Sequence, residues 1–446
     1  SLFGMAFWGV ALVWVPVSVG PHFQWAYPGY LGLVLILAGL SGAFGLTAHY
    51  LHKDRGWPLS LAVPMAWVGM EWLKAHFPLG LSFPWLGLAV SLTEWPEFLV
   101  LAEFAGEPAV AFWLAGVNGL VAEAVLGSRS LPGVRHRFLM AAVVLLPILG
   151  GSIRARTLPL QEGPLVLAVG VDSSHDPLES PRNSREDELG AVPQVRKEVS
   201  IRGGGRVDLL LLPEGLIPIP LTDEDAEEAR SALMDLAAEV RAPVVFGAPG
   251  RGGVGGGLTN SAYLMSAEGN LAQKYDKVRL VPGMEAGAYS RGKGGVTFRM
   301  GTWVASPMIC YESLFSEAAR QGRRAGAHFL VNLSSDVWFG REGSWLGSHF
   351  LQQHPAHLVL RAVETRTSVA RAAKGGFTLL LDPSGREISK VVSPGGGSIQ
   401  GRLPVFTGST VFFRTGDWVG PGSFLICLAA FFPLLLAARP GERQAG

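Results

Sequence analysis

Three residues of different chemical type each follow an apolar run that reads as a buried strand. Glu214 comes after the run 207–212, Cys310 directly follows the run 303–309, and Lys277 lies beyond a further strand and its turn. In open α/β sheets, functional groups gather outside the carboxyl ends of the strands. The spacing therefore allows a base, a cation and a thiol to converge on one site.

The chemistry of these types is that of acyl transfer through a thioester. A thiol attacks as the thiolate and needs a neighbouring base or cation, so Glu214 could take the proton of Cys310 and later return it. Lys277 could neutralise the oxyanion beside the backbone N–H that follows the nucleophile. Each residue alone also has a plainer interpretation, a small buried hydrophobe for the cysteine and solvated charges for the other two. Spacing leaves both interpretations open.

The region that carries these residues has an α/β pattern. The apolar run 207–212, an amphipathic helix over 223–240 and the run 243–247 form a strand–helix–strand unit, which predicts an α/β sheet. Further strands are predicted at 261–265, 302–309, 328–333, 368–372 and 377–382.

Two other patterns give no site. The run 250–257 contains a G-x-G-x-x-G string, but a strand follows it rather than a helix, which favours a hairpin loop over a dinucleotide site. His349, His354 and His357 lack the ligand spacing of a zinc site and read as surface or core histidines. We therefore predict no metal and no cofactor.

The two ends of the chain are apolar, whereas the charges gather in the middle. The composition is 48% hydrophobic and 16% charged, and the net charge of +1 gives no overall field for nucleic acid. Runs near the length of a membrane span indicate a multi-pass membrane protein. We predict spans at 2–19, 30–50, 59–73, 98–126, 138–153 and 419–438.

Loop charges predict the orientation of these spans. The loops after the second, fourth and sixth spans carry the Lys and Arg residues, and the positive-inside rule places them in the cytoplasm. The middle region would then lie on the opposite side. These loop residues are Lys53, Arg55, Arg129, Arg135, Arg137, Arg439 and Arg443.

The resulting domain boundaries are 1–157 for the first five spans, 158–412 for the middle domain and 413–446 for the last span and tail. Glu71, Glu103 and Glu107 fall in or beside the predicted spans. Acids at such places read equally as functional groups or as interfacial residues.

Short segments around the three chemical residues resemble a known superfamily. The Leu-Pro-Glu-Gly segment 212–215, the Lys-Tyr-Asp-Lys segment 274–277 and the Ile-Cys-Tyr-Glu segment 309–312 resemble, in order, the signatures of carbon–nitrogen hydrolases, or nitrilases. The segment 332–340 resembles the stretch that follows the cysteine strand. The resemblance implies an α-β-β-α sandwich inserted before the last membrane helix. It also implies that Glu214, Lys277 and Cys310 are the catalytic triad.

Segments outside the middle region resemble one membrane branch of that superfamily, the bacterial apolipoprotein N-acyltransferases. These segments are 71–74 with 83–85, and 414–418; Leu-Val-Pro at 280–282 and the pair Arg361 and Glu364 agree. The resemblance implies that Cys310 takes an acyl chain from a phospholipid as a thioester. The chain then passes to the amino terminus of a diacylglyceryl-cysteine lipoprotein.

The same resemblance implies roles and a location. Glu285 would support Lys277, Tyr311 and Glu312 would shape the substrate pocket, and a loop holding Trp338 and Phe339 would lie near the acyl chain. Ordinary packing stays open for the last two. The protein would be a monomer in the bacterial cytoplasmic (inner) membrane, with its catalytic domain on the extracytoplasmic side. Family members have eight spans, so two would precede Ser1.

The sequence departs from the family in two places and leaves two other functions open. Val-Pro-Gly-Met-Glu at 281–285 replaces Val-Pro-Phe-Gly-Glu, and Ser-Ser-Asp at 334–336 replaces Ser-Asn-Asp. One alternative is a membrane-tethered amidase that passes the acyl group to water. The other is a lipoprotein-binding scaffold without catalysis. The membrane segments count against the first alternative, and the intact triad counts against the second.

Overall fold

The computed structural model describes a bundle of apolar helices joined to a two-sheet α/β region. The described residues are 1–20, 24–78, 82–126, 134–172, 189, 191–202, 206–340, 345–392 and 396–437. Arg129, Arg439 and Arg443, which entered the orientation argument, lie outside them.

Helices occupy both ends of the chain and also cover the sheets. In chain order they are α1 Leu2–Ala11, α2 Ala26–Lys53, α3 Leu59–Ala75, α4 Ala102–Ala105, α5 Glu107–Leu126, α6 Val134–Thr157, α7 Val192–Ile201, α8 Glu227–Val240, α9 Ser316–Arg324, α10 Trp345–Phe350, α11 Gln353–Thr365, α12 Val411–Thr415 and α13 Val419–Ala437.

Within the described residues, three helical stretches are long and apolar enough to cross a membrane: α2, α5 and residues 140–157 of α6. The predicted spans at 2–19 and 59–73 correspond to shorter helices of 10 and 17 residues. The span predicted at 419–438 corresponds to α13, in which the apolar stretch Val419–Phe432 is likewise shorter. The six-span arrangement therefore stays a prediction.

Glycines let the apolar helices approach each other closely. A Cβ atom on Gly119 of α5 would lie 2.4 Å from the carbonyl oxygen of Leu59, at the start of α3. A Cβ atom on Gly69 of α3 would lie 3.2 Å from the Cα of Phe424 in α13. Apolar side chains gain little by leaving lipid, so membrane helices associate through close backbone packing at small residues. These glycines hold α3 between α5 and α13.

Two of the predicted spans are not continuous α-helices. The single span predicted at 98–126 is divided at Gly106, whose φ of +76° lies outside the helical range and whose Cβ position is blocked by Phe412. The span predicted at 2–19 leaves α-helical geometry after α1 and continues as a π-helical turn, Val15–Val19, that contains Pro16. Hydropathy showed the apolar lengths but not these backbone breaks.

The middle region contains two six-stranded sheets and a short two-stranded ribbon. The strands are β1 Leu160–Gln161, β2 Leu165–Gly170, β3 Leu209–Leu211, β4 Val244–Arg251, β5 Leu258–Met265, β6 Leu271–Asp276, β7 Phe298–Met300, β8 Trp303–Ile309, β9 Phe329–Ser335, β10 Ser368–Lys374, β11 Phe377–Leu381, β12 Glu387–Val392, β13 Gly397–Arg402 and β14 Val405–Phe406. The sheet orders are β13-β2-β3-β4-β5-β6 and β12-β11-β10-β9-β8-β7.

Side chains alternate between the two faces of each strand, so the two sheets and the helices that cover them form four layers. In β3, Leu209 and Leu211 belong to the core between the sheets, whereas Leu210 faces the core under α7 and α8. In β9, Phe329 enters the central core and Leu330 packs toward α9 and α11. Both faces of these strands are buried, which explains their continuous apolar runs. The predicted α-β-β-α sandwich is confirmed.

The glycine-rich run is a hairpin loop, as predicted. Strands β4 and β5 pair antiparallel from Val244 opposite Met265 to Arg251 opposite Leu258. The loop between them therefore joins two neighbouring strands and opens no helix, so it lacks the geometry of a dinucleotide-binding turn. The other predicted strands are present with shifted ends.

Candidate active site

Glu214 lies just beyond β3 and is held by groups from three other segments. Its Oε1 accepts hydrogen bonds from Asn260 Nδ2 at 2.7 Å and from Lys277 Nζ at 3.3 Å, while its Oε2 accepts one from the backbone N–H of Ser335 at 2.9 Å. The residue is buried. These donors fix the position of the carboxylate, as the role of a general base requires.

Lys277 follows β6 and is enclosed by two carboxylates. Its side chain is 1% exposed, and Nζ donates to Glu285 Oε1 at 2.8 Å as well as to Glu214. Burial alone would lower the pKa of Lys277, but the two carboxylates raise it well above its ordinary value. Lys277 therefore stays a cation, as the stabilisation of an oxyanion requires.

The altered Val-Pro-Gly-Met-Glu segment still places Glu285 on this lysine. The backbone N–H of Val281 donates to Glu285 Oε2 at 2.8 Å, so the turn between these residues fixes the carboxylate. The predicted contact of Glu285 with Lys277 is present despite the changed order of residues.

Asn260 was not identified from the sequence. It lies on β5, and its Nδ2 donates to Glu214 at 2.7 Å and to Glu285 at 2.8 Å. Its carbonyl oxygen accepts from the backbone N–H of Lys277 at 2.8 Å. One residue thus spaces both carboxylates and anchors the lysine. The available signal was a polar amide within a mostly buried strand, since such a group needs partners.

Cys310 begins a tight turn at the end of β8. Its φ of +48° is unusual for a residue with a side chain, and the 3-10 turn Cys310–Leu314 starts at this position. Strain of this kind is concentrated at functional sites, where the surrounding structure enforces it. Burial raises the pKa of the Cys310 thiol, and so does Glu214, whereas Lys277 lowers it. The thiol therefore depends on a base to become a thiolate.

Glu312 holds the cysteine turn and the lysine loop together. Its Oε1 accepts from Tyr275 Oη and from the backbone N–H of Val278, both at 2.7 Å, and its Oε2 accepts from the N–H of Ile309 at 2.8 Å. Burial raises the pKa of Glu312, and these donors act in the opposite direction. Glu312 therefore fixes the turn after β8 to the loop after β6.

Tyr311 connects the cysteine turn to the membrane helices. Its Oη donates to the carbonyl oxygen of Ser82, in the segment that follows α3, at 3.1 Å. Its ring meets Phe315 edge-on with the centroids 5.3 Å apart. Tyr311, the residue after Cys310, therefore lies where the helical and α/β regions meet.

The two aromatic residues after β9 differ in their surroundings. Phe339 is buried among Trp14 and Trp85, with ring centroids 4.7 and 5.4 Å away, and so belongs to an aromatic cluster shared with the helical region. Trp338 is half-buried. Contact of either residue with an acyl chain stays a prediction.

A buried polar network behind Cys310 was also missed. Imidazole Nε2 of His354 lies 3.1 Å from the carbonyl oxygen of Cys310, and Nδ1 lies 2.9 Å from Asp336 Oδ1. Burial alone would raise the pKa of Asp336, but Arg371 and His354 hold it well below its usual range. His354 was predicted only as a surface or core histidine. Its position beside Cys310 follows from tertiary packing of α11.

The acids of the helical region have partners within the protein. Glu103 pairs with Arg366 and with Arg154, and Glu107 pairs with Arg361 at 2.9 Å. Glu71 accepts from the backbone N–H of Leu88 at 2.6 Å. Glu103 is therefore buried among its partners, and the choice between a functional and an interfacial role for these acids stays a prediction.

Two family models match this chain. The apolipoprotein N-acyltransferase N-terminal domain matches residues 1–120, and the carbon–nitrogen hydrolase domain matches residues 189–403. The second match includes Glu214, Lys277 and Cys310. The first covers the helical region up to α5.

Full-length relatives are similar across both regions. An apolipoprotein N-acyltransferase of Geobacter metallireducens is 24% identical and covers 93% of this chain and 82% of its own length. One from Rhodopseudomonas palustris is 28% identical and covers 99% of this chain and 86% of its own length. Among solved structures, an amidase from Nesterenkonia sp. is 21% identical with a TM-score of 0.41, covering 59% of this chain and 94% of that chain.

Proposed function

This chain belongs to the apolipoprotein N-acyltransferase family, and from that premise we propose that Cys310 carries an acyl chain from a phospholipid to a lipoprotein. The acceptor is the free α-amino group of a diacylglyceryl-cysteine terminus. The observation that carries the assignment of roles is the buried Lys277, held between Glu214 and Glu285 in the electrostatic field of the Cys310 thiol.

In the first step, Glu214 takes the thiol proton of Cys310 and the thiolate attacks an ester carbonyl of the phospholipid. The charge on the tetrahedral oxygen is met by Lys277 and by the backbone N–H of Tyr311. The carbon–oxygen bond to glycerol then breaks, and Glu214 returns the proton to the leaving alcohol. The products are a thioester on Cys310 and a lysophospholipid.

In the second step, the lipoprotein amine attacks the thioester carbonyl and gives a proton to Glu214. The carbon–sulfur bond breaks, the amide forms, and the proton returns to Cys310. The enzyme ends in its starting state, so the kinetics are ping-pong. Burial of Lys277 and Glu214 limits the access of bulk water, which favours the amine over hydrolysis.

The proposed location follows from charge and length. Helices long and apolar enough to span a membrane precede the α/β region, and the loop with Lys53 and Arg55 reads as cytoplasmic. We place the catalytic domain, residues 158–412, on the extracytoplasmic side of the bacterial inner membrane. Every proposed catalytic group comes from one chain, which agrees with a monomer, and no step uses a cofactor or nucleic acid.

Intact-protein mass spectrometry after incubation with phospholipid tests the proposal. Wild-type protein should gain an acyl-sized mass that hydroxylamine removes, and Cys310→Ala should gain none. Cys427→Ala is the matched control, because that buried thiol lies in α13, where it contacts the Met65 carbonyl oxygen at 3.5 Å. It should acylate normally.

The outcomes separate the candidate functions. An adduct that a lipopeptide amine discharges supports acyl transfer. An adduct that water discharges equally fast, with or without the amine, indicates a membrane-tethered amidase. Folded wild-type protein that forms no adduct with any phospholipid indicates a scaffold and overturns the proposal.

A further inference from the structure

A cleft of about 630 Å³ opens beside the cysteine turn. One wall is the segment after α3, with His76 and Ser82, and the other is the loop that includes Arg279 and Pro282. Tyr311 contributes to the lining from the cysteine turn. The cleft therefore lies between the end of an apolar helix and the catalytic loops.

Two arginines give this cleft a cationic wall. Arg279 and Arg291 line it and are exposed, and no Asp or Glu is among its described lining residues. Within the described part of the chain, neither guanidinium forms an ion pair at 4.0 Å or less. The guanidinium of Arg279 is held over the Phe315 ring, 4.9 Å from its centroid. The charge is thus positioned without being neutralised.

The cationic wall lies close to the cysteine turn, and its charge affects the pKa of a residue in that turn. Burial raises the pKa of Tyr311, whereas the charges of Arg279 and Lys277 both lower it. The backbone N–H of Arg279 donates to Glu312 Oε1 at 3.1 Å, which fixes the loop that carries the arginine to the cysteine turn. A ligand held by Arg279 would therefore sit within reach of the nucleophile's neighbours.

We propose that this cleft binds the phosphodiester of the donor phospholipid, with Arg279 and Arg291 as its ligands. The proposal rests on the proposed function, which supplies a phospholipid substrate. Arginine matches phosphate oxygens with paired N–H donors. The diacylglyceryl acceptor group carries no phosphate, so the cleft would distinguish the donor. Phe315 and Leu280, which also line the cleft, would contact the apolar part of the lipid.

The test measures binding apart from turnover. Short-chain phosphatidylglycerol, short-chain diacylglycerol and inorganic phosphate are titrated separately, at constant ionic strength, into the detergent-purified full chain carrying Cys310→Ala. The same titrations use this chain with Arg279→Gln and Arg291→Gln added. Arg299→Gln is the matched control, because Arg299 is an exposed arginine on β7 that does not line the cleft.

We expect the arginine substitutions to raise the Kd for phosphatidylglycerol about tenfold or more, with the Kd for diacylglycerol unchanged. The control should match its parent for both lipids. An unchanged Kd for phosphatidylglycerol overturns the proposal. So does an equal loss for both lipids, which would indicate a structural effect.

Inorganic phosphate distinguishes the two sources of a phosphate group. Competition between phosphate and phosphatidylglycerol supports one shared site. Arginine-dependent binding of phosphate that leaves lipid binding unaffected would assign the cleft to free phosphate and overturn the proposal. If wild-type Cys310 takes no acyl chain while the arginines still bind phosphatidylglycerol, the proposed function fails and the lipid site stands.

Discussion

Replacement of Lys277 by methionine separates the charge of this residue from its packing. Methionine keeps an unbranched apolar stem of similar length and removes the ammonium group. In the wild type that group lies 3.3 Å from Glu214 and 2.8 Å from Glu285, with 1% of the side chain exposed. The variant therefore leaves two carboxylates around Asn260 with no cation between them.

The expected losses are large and have two separate causes. Removing one partner of a buried ion pair costs about 3–5 kcal/mol, because the remaining charge is uncompensated. Acylation of Cys310 should fall about 10²–10³-fold, the usual effect of removing one oxyanion donor. Thermal unfolding in detergent measures the first effect, and the rate of adduct formation in single-turnover mass spectrometry measures the second.

A second variant distinguishes the two causes. Lys277→Met with Glu285→Gln removes one negative charge together with the cation, so most of the stability should return. The acylation rate should not return, since the oxyanion donor is still absent. Glu285→Gln alone, which keeps Lys277 and Glu214, is the control.

The pH dependence of the Lys277→Met stability follows from the same charges. Without the cation, the two carboxylates repel each other inside the protein, and protonation of one of them removes that repulsion. Proton uptake then stabilises the fold, so the deficit should be smallest below about pH 4 and should grow as the pH rises. A variant as stable as wild type at neutral pH, or one that acylates at the wild-type rate, would refute the reasoning.

Three further predictions concern residues around the site. His354→Gln should slow acylation roughly 10- to 100-fold without changing half-saturation by the donor, because the imidazole positions the Cys310 carbonyl; a change in half-saturation alone would contradict this. Asn260→Asp should lower the melting temperature more than Asn260→Ala, because it adds a third carboxylate to the site; the reverse order would contradict the proposed spacing role. Burial raises the pKa of Glu364 to about 7, so its contribution to stability is full below pH 4.5 and is lost as the pH rises through 7. Melting temperatures measured from pH 5 to 8 should therefore fall less steeply in Glu364→Gln than in wild type, and equal slopes would count against this assignment.

The sequence predicts those features of the site that depend on short, local stretches of residues. Buried strands are recognisable as continuous apolar runs; Cys310 follows such a run directly, and Glu214 follows one after a single proline. A carboxylate, an ammonium and a thiol near strand ends also suggest acyl transfer through a thioester. The fold supports their proximity through the Lys277 contacts with Glu214, while their catalytic roles stay predictions.

The part that could not be predicted depends on contacts between distant segments. Asn260 reads as an ordinary polar residue of a strand, and its function appears only when β5 lies between Glu214 and Glu285. His354 is 44 residues from Cys310 in the sequence. Gly106, where the predicted span is broken, packs closely against Phe412. Phe412 is far from Gly106 in the sequence, so the hydropathy of the span could not reveal this contact.

The buried ion pairs between the helical and α/β regions bear on how the nucleophile is placed. Arg361 donates to Glu107 at the start of α5 and also to the carbonyl oxygen of Leu314, which ends the cysteine turn. Buried pairs of this kind add little net stability, because desolvation offsets the attraction. Their geometric effect is more specific, since one guanidinium fixes the cysteine turn against a membrane helix. Under the proposed function, this contact would hold Cys310 at a fixed position relative to the apolar helices.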